Sequence, residues 1–231
     1  MSMLSENLNN ITHSLDLESI SRYHWGRKFL TYRNIQLLGG TMHSDKEKCI
    51  LFNCANRTQG QIVEIGAYKG LSTTYLAAGV KLRAFTTRTH ACHVITIDPF
   101  IDYKGRGGMR ENEWTREDFA HAIYLAGVSS HIDCLEMTSR DAEEAYTADY
   151  GDPAIELLFI DGDHTSEGAH FDFETYFPKV SLGGVIAIHD SCYGGPCEVI
   201  QEYSGNDKPM REVHRCDDEY SLTLHVKVAE L

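Results

Sequence analysis

Residues 61–73 read Gln61-Ile62-Val63-Glu64-Ile65-Gly66-Ala67-Tyr68-Lys69-Gly70-Leu71-Ser72-Thr73. Ile62 to Ile65 is a short apolar run that carries an acid and ends at a glycine. Leu71, Tyr75, Leu76 and Val80 then recur at helical spacing. The pattern predicts a buried strand, a tight glycine turn and a helix N-terminus. Gly66 supplies a backbone conformation closed to residues with a Cβ, and Gly70 lets a ligand or a neighbouring strand come close. The first helical N–H groups, near Gly70 to Thr73, face whatever binds there. Glu64 falls at the strand's carboxyl end, where open α/β sheets bind ligands. The spacing is Glu-x-Gly-x-x-x-Gly, not Gly-x-Gly-x-x-Gly, and no Gly-Lys-Ser/Thr follows. A dinucleotide pyrophosphate and a phosphate loop are therefore unsupported.

Further strands follow in chain order. His93 to Pro99 reads as a strand ending in Asp98, an acid placed to accept hydrogen bonds from ribose hydroxyls. His131 to Glu136 is a third strand. Glu156 to Asp161 is continuously apolar before its acid, as a central parallel strand should be. A helix from Thr165 to Phe177 separates it from another buried strand, Leu182 to Asp190. Two adjacent strands thus deliver Asp161, Asp163, His164, His189 and Asp190 to the sheet edge that carries Glu64 and Asp98. Structural need alone would not gather so many ionisable groups there, because unpaired buried charges are costly.

The remaining segments frame this sheet. Leu4 to Ile35 has apolar residues at helical intervals and is expected to form a helical extension (1–43), with Tyr23, Trp25 and Tyr32 packing it on the sheet or lining a pocket. Ser44 to Arg57 reads as a helix, with Ser44 as N-cap and Glu47 at capping-box spacing. Lys81 to Ala91 is read as a surface connection, Gly105, Gly107 and Gly108 mark a loop over the site, and Tyr193 to Pro196 is read as a loop beside it. Arg116 to Ala126 is helical. Asp141 is the N-cap of a helix from Ala142 to Ala148 or a ligand-binding acid; both readings stand. Arg211 to His214 and Tyr220 to Val228 form a terminal antiparallel hairpin. The expected fold is one α/β domain (44–231), Rossmann-like and doubly wound, with a seven-stranded sheet.

The glycine spacing resembles motif I of the class I S-adenosylmethionine-dependent methyltransferases. Phe159-Ile160-Asp161-Gly162-Asp163-His164 and the run Leu182-Gly183-Gly184-Val185-Ile186-Ala187-Ile188-His189-Asp190 resemble the fourth and fifth strands of a subgroup of that class. The subgroup includes many small-molecule and sugar O-methyltransferases, macrocin O-methyltransferase-like enzymes among them. The resemblance spans residues 61–192. It implies S-adenosylmethionine as cofactor, with Glu64, Gly66, Ala67, Tyr68, Gly70, Ser72 and Asp161 around it, Asp98 on its ribose and Asp141 near its adenine. It implies His164, His189 and Asp161 as catalytic residues, one histidine being the base. In divalent-metal members similar to catechol O-methyltransferase, the ligands end these two strands. Asp161 and Asp190 match those places, and Ser191 stands where catechol O-methyltransferase has an amide. Magnesium or another divalent cation is the implied second cofactor.

Composition bounds the partners. The 231 residues carry 34 acids against 21 bases, a net charge of -13, which disfavours nucleic acid and anionic membrane as partners and favours a small-molecule acceptor. No apolar run is long enough to span a bilayer, and no signal peptide is visible near Met1 to Asn10. The seven scattered cysteines read as reduced thiols in a cytoplasm. Cys192 and Cys197 near His189, His214 and Cys216 invite a zinc site, but their spacing matches no usual ligand pattern. A homo-oligomer is left open. The expected activity is methyl transfer to a hydroxyl; a metal-dependent hydrolase and a non-catalytic module of the same fold are the alternatives.

Overall fold

The computed structural model describes residues 43–88, 93–100, 115–150, 154–216 and 221–231. The expected N-terminal helices, the glycine loop at 105–108 and the hairpin turn lie outside them. Helix α1 (Asp45–Arg57) leads into strand β1 (Gln61–Ile65), followed by α2 (Leu71–Thr87) and β2 (Val94–Ile97). Next come α3 (Thr115–Leu125), β3 (Ile132–Leu135), α4 (Ser139–Tyr150), β4 (Ile155–Ile160) and α5 (Ser166–Tyr176). The chain closes with β5 (Val180–Ile188), α6 (Gly194–Tyr203), β6 (Met210–Cys216) and β7 (Leu222–Lys227).

These strands form one seven-stranded sheet in the order β3-β2-β1-β4-β5-β7-β6. The first five are parallel, and β7 is antiparallel to both β5 and β6. The winding direction reverses between β1 and β4, so the ligand crevice of such a fold lies outside their carboxyl ends. Alternate residues face opposite layers, as the period of a strand dictates. Ile62, Val94, Leu157, Phe159 and Ala187 pack with Ile50, Leu51, Leu76 and Val80 of α1 and α2. Val63, Ile95, Leu158, Ile186 and Ile188 pack with Tyr146, Phe173, Tyr176 and Val199 of α4, α5 and α6.

Three local expectations are corrected. Lys81 to Thr87 is not a surface connection but the last two turns of α2: Arg83 is buried, and the Thr87 hydroxyl donates back to its carbonyl. Tyr193 to Pro196 was expected as loop; Gly194 to Tyr203 is helix, with Pro196 in the first turn, where a missing N–H costs nothing. The N-cap reading of Asp141 also fails. Helix α4 begins at Ser139, and the N–H of Asp141 donates to Thr138 Oγ1 at 3.2 Å, so Thr138 caps it.

Candidate active site

The glycine turn is built by close packing. Gly66 has φ +90, and a Cβ there would lie 2.0 Å from the carbonyl oxygen of Asp161. Gly70, at φ +82, has Phe119 of α3 2.9 Å from the place of its Cβ, so it makes room for a helix. No side chain among the described residues caps α2, which leaves its first-turn N–H groups to the crevice. Tyr68 between the glycines holds φ 46, a left-handed conformation that strains a residue with a side chain.

Two acids brace this turn. Asp98, at the end of β2, is buried; its Oδ2 accepts from the N–H groups of Ala67 and Tyr68, both at 2.8 Å, and its Oδ1 from Phe100 N–H at 2.7 Å. Burial raises its pKa against the pull of those three donors. Glu64 is fully buried, with Oε2 accepting from Thr73 Oγ1 at 2.5 Å and Thr96 Oγ1 at 2.7 Å. Burial pushes it up to about 7, although Ser72, Thr73 and Thr96 favour its charged form. Glu64 Oε1 is buried without a hydrogen bond among the described residues.

Beside the turn, the ends of β4 and β5 bring the expected acids and histidines together. Asp161 Oδ1 lies 3.1 Å from His189 Nδ1 and 3.4 Å from His164 Nε2. The other nitrogen of His164 is 3.3 Å from Asp190 Oδ2, so its ring bridges the two acids. His164 has a side chain 47% exposed, whereas that of His189 is 2% exposed. Burial opposes the charge on Asp161, but His189, His164 and His43 together hold its carboxyl below the usual range. Burial likewise opposes the His189 cation, yet Asp161, Asp190 and Glu47 raise it to about 12. The bond from Asp161 is the main cause that raises His164. Asp190 sits at φ 48, in the left-handed region.

Two members of this group were not foreseen from sequence. His43 and Glu47, at the start of α1, are both buried against His189. Glu47 Oε2 accepts from Ser44 N–H at 2.6 Å, the expected capping box, while Oε1 lies 3.8 Å from His189 Nε2. The His43 ring stacks on that of His189, with centroids 4.2 Å apart. Burial and the neighbouring His189 lower His43 to about 4, so it is neutral. The cap spacing of Ser44 and Glu47 was visible in the sequence; nothing local signalled a partner on β5.

Asp161, His164 and Asp190 each offer a ligand atom within 4.8 Å of the others, as do His43, Asp161 and His189. The second set is stacked: the planes of His43 and His189 are 20° apart, so their in-plane lone pairs do not converge on one ion. In the first set the two acids are on either side of an exposed imidazole ring. Ser191 is buried, and its Oγ donates to Ser221. Asp163 accepts from Thr165 N–H at the entry to α5. Asp141 is exposed on the first turn of α4, where it accepts from the Thr138 hydroxyl at 2.6 Å.

A family model described as a methyltransferase domain matches residues 63–191, from inside β1 to just beyond the β5 acids. The chain belongs to the methyltransferase-domain family. Solved structures share its fold at low identity. The cofactor-bound Rv0187 from MTB is 15% identical, with a TM-score of 0.62 over 86% of this chain and 88% of that one. An O-methyltransferase from Bacillus cereus in complex with SAH is 16% identical, with a TM-score of 0.57 over 96% of each chain. CalS11, a TDP-rhamnose 3'-O-methyltransferase of calicheamicin biosynthesis, is 17% identical, with a TM-score of 0.56 over 98% of this chain and 94% of that one. In this methyltransferase no helix among the described residues is long and apolar enough to cross a membrane.

Proposed function

We propose that this methyltransferase moves a methyl group from S-adenosylmethionine to a hydroxyl of a small molecule, a sugar or another natural product, with a divalent cation assisting at Asp161 and Asp190. The observation that carries the reading is the Asp161–His164–Asp190 group set directly against the glycine turn, at the point where the winding reverses. The SAH complex of the Bacillus cereus enzyme and the sugar acceptor of CalS11 support it.

The residues fit the cofactor. Glu64 Oε1 is a buried acceptor lacking a donor among the described residues; the ammonium of an amino-acid moiety supplies one. Asp98 has accepted three N–H groups and keeps lone-pair capacity for a ribose hydroxyl. Ala67, Tyr68 and Ser72 line the turn between Gly66 and the first turn of α2, and Asp141 is the adenine-side acid. S-adenosylmethionine, when bound, brings a methyl sulfonium that is already activated.

The chain therefore has to align the acceptor and remove its proton. His164 takes that proton: it is the exposed imidazole, and to act as base it turns one nitrogen away from its carboxylate to the acceptor while the other acid holds the ring. His189 is enclosed and charged, and serves as a fixed cation between the acids. Asp161 and Asp190, with Ser191 beside them, would hold a divalent ion, which would supply Lewis-acid chemistry to the acceptor hydroxyl.

The first test needs no acceptor. S-adenosylhomocysteine at a hundred times its dissociation constant is expected to stabilise the fold by about 2.7 kcal/mol, read as a raised melting temperature. Labelled S-adenosylmethionine with a panel of nucleotide sugars and phenols then finds the acceptor. Absence of any thermal shift overturns the reading.

A further inference from the structure

We propose that Glu47 and His43, both supplied by the start of α1, are positioning residues of the catalytic site, which hold the His189 ring and through it the Asp161–Asp190 pair. The inference rests on the methyltransferase reading above for what the site does, but its geometry stands alone. A glutamate that closes a capping box needs one oxygen and works at the solvent-exposed end of a helix. Glu47 instead has a side chain with no exposure, a costly place for a carboxylate without a counter-charge. Its capping oxygen is occupied by Ser44 N–H, and its second oxygen has no hydrogen bond among the described residues and faces His189 Nε2.

The His189 ring is thereby gripped from three sides. Asp161 holds its Nδ1 edge at 3.1 Å, Glu47 faces its Nε2 edge at 3.8 Å, and His43 covers one face. His43 also reaches Asp161 Oδ2, at 3.5 Å from Nε2, while neither of its ring nitrogens makes a hydrogen bond among the described residues. The platform is rigid: a Cβ at Gly79 of α2 would lie 2.4 Å from the carbonyl oxygen of Phe52, so α1 and α2 pack backbone to backbone. Asp161 and Asp190, fixed by His189, are the two groups that orient His164. A residue outside the sheet thus sets the bearing of the exposed imidazole.

Ring signals in long-range proton–nitrogen spectra of histidine-labelled full-length protein provide the test, without an acceptor or cofactor. Glu47→Gln keeps the cap acceptor and the volume but removes the counter-charge; the His189 and His164 ring signals are both expected to move. Ser44→Ala weakens the cap and leaves Glu47 charged; it is expected to lower the melting temperature and move neither signal. His43→Ala is expected to broaden the His189 signals, and His43→Phe, which restores a stacked ring, to sharpen them. S-adenosylhomocysteine affinity, measured in parallel, should stay within about twofold in Glu47→Gln, which separates this proposal from the cofactor assignment. Unmoved His164 signals in Glu47→Gln, or equal movement in Ser44→Ala, would reduce Glu47 to a helix cap and overturn the proposal.

Discussion

Gly66 and Asp161 are in contact through their backbones, and a single methyl group on Gly66 would sit 2.0 Å from the Asp161 carbonyl oxygen. The N–H of Asp161 donates to the Ile65 carbonyl at 2.8 Å, which ties the two strand ends together. Gly66→Ala meets both this clash and a φ of +90, and is expected to cost more than about 3 kcal/mol. Gly183 provides the control, with φ +85 and nothing within 4 Å of its missing Cβ. Gly183→Ala is expected to cost only about 1 kcal/mol, the conformational part alone. Urea midpoints of the two variants decide it, and equal losses would refute the contact argument.

The strands and the glycine turn were readable because the runs at 62–65, 157–160 and 185–188 lie inside the sheet with both faces covered and, Glu64 aside, are apolar. What escaped was set by partners far along the chain. The helix at 194–203 opens with Gly194-Gly195-Pro196, which reads as a breaker. Gly195 is needed because its Cβ would lie 2.3 Å from the Thr165 carbonyl oxygen of the entry to α5. Arg83 to Thr87 looked polar enough for a loop, yet Arg83 is buried and the Thr86 and Thr87 hydroxyls bond to carbonyls one turn back. Glu47 was legible as a cap and illegible as a site residue, since its second oxygen answers to a residue more than a hundred positions later.

His225 makes stability depend on pH away from the site. The ring is fully buried in β7, between Ser204 Oγ and Thr223 Oγ1, each at 3.0 Å. Burial lowers its pKa from 6.5 to about 4, with Glu212 opposing and Arg215 assisting. Between those values the unfolded chain binds a proton that the folded chain refuses, so stability falls as pH drops from 6.5 towards 4. The contribution reaches about 3 kcal/mol at the acid end. His225→Gln should show a shallower loss of urea midpoint between pH 7 and pH 5 than the parent, although its midpoint at neutral pH is lower. Parallel slopes in the two proteins would refute this.

Asp98 has two duties, and they can be separated. Its three backbone donors brace the glycine turn, so Asp98→Asn is expected to lose about 1–3 kcal/mol of stability. If its remaining lone pairs also hold the ribose, affinity for S-adenosylhomocysteine should fall by about tenfold or more. Calorimetry well below the variant's melting temperature reads affinity without the stability term. A destabilised variant with unchanged affinity would leave Asp98 as a brace and remove it from the cofactor.

A divalent cation is expected between Asp161 and Asp190. Their strands are neighbours in the parallel part of the sheet; Ile160 pairs with Ile188, so Asp161 follows one residue and Asp190 two residues beyond the paired level, and both reach His164. His164 now spans the gap, 3.4 Å from one carboxylate and 3.3 Å from the other, a spacing that ligands of one small ion also show. An ion entering there competes with the imidazole, and the exposed His164 ring is able to turn aside or become a third ligand. Two carboxylates favour a hard ion such as magnesium, and a nitrogen in the set tilts the preference towards manganese. Manganese titration of metal-stripped protein, followed by spin resonance, should show one site, weakened about tenfold or more in Asp161→Asn and Asp190→Asn. Methyl transfer in excess chelator should fall and return when magnesium or manganese is added. Full activity under chelation, with both asparagine variants equally active, would take the cation out of the mechanism and leave the two acids to the His164 and His189 imidazoles.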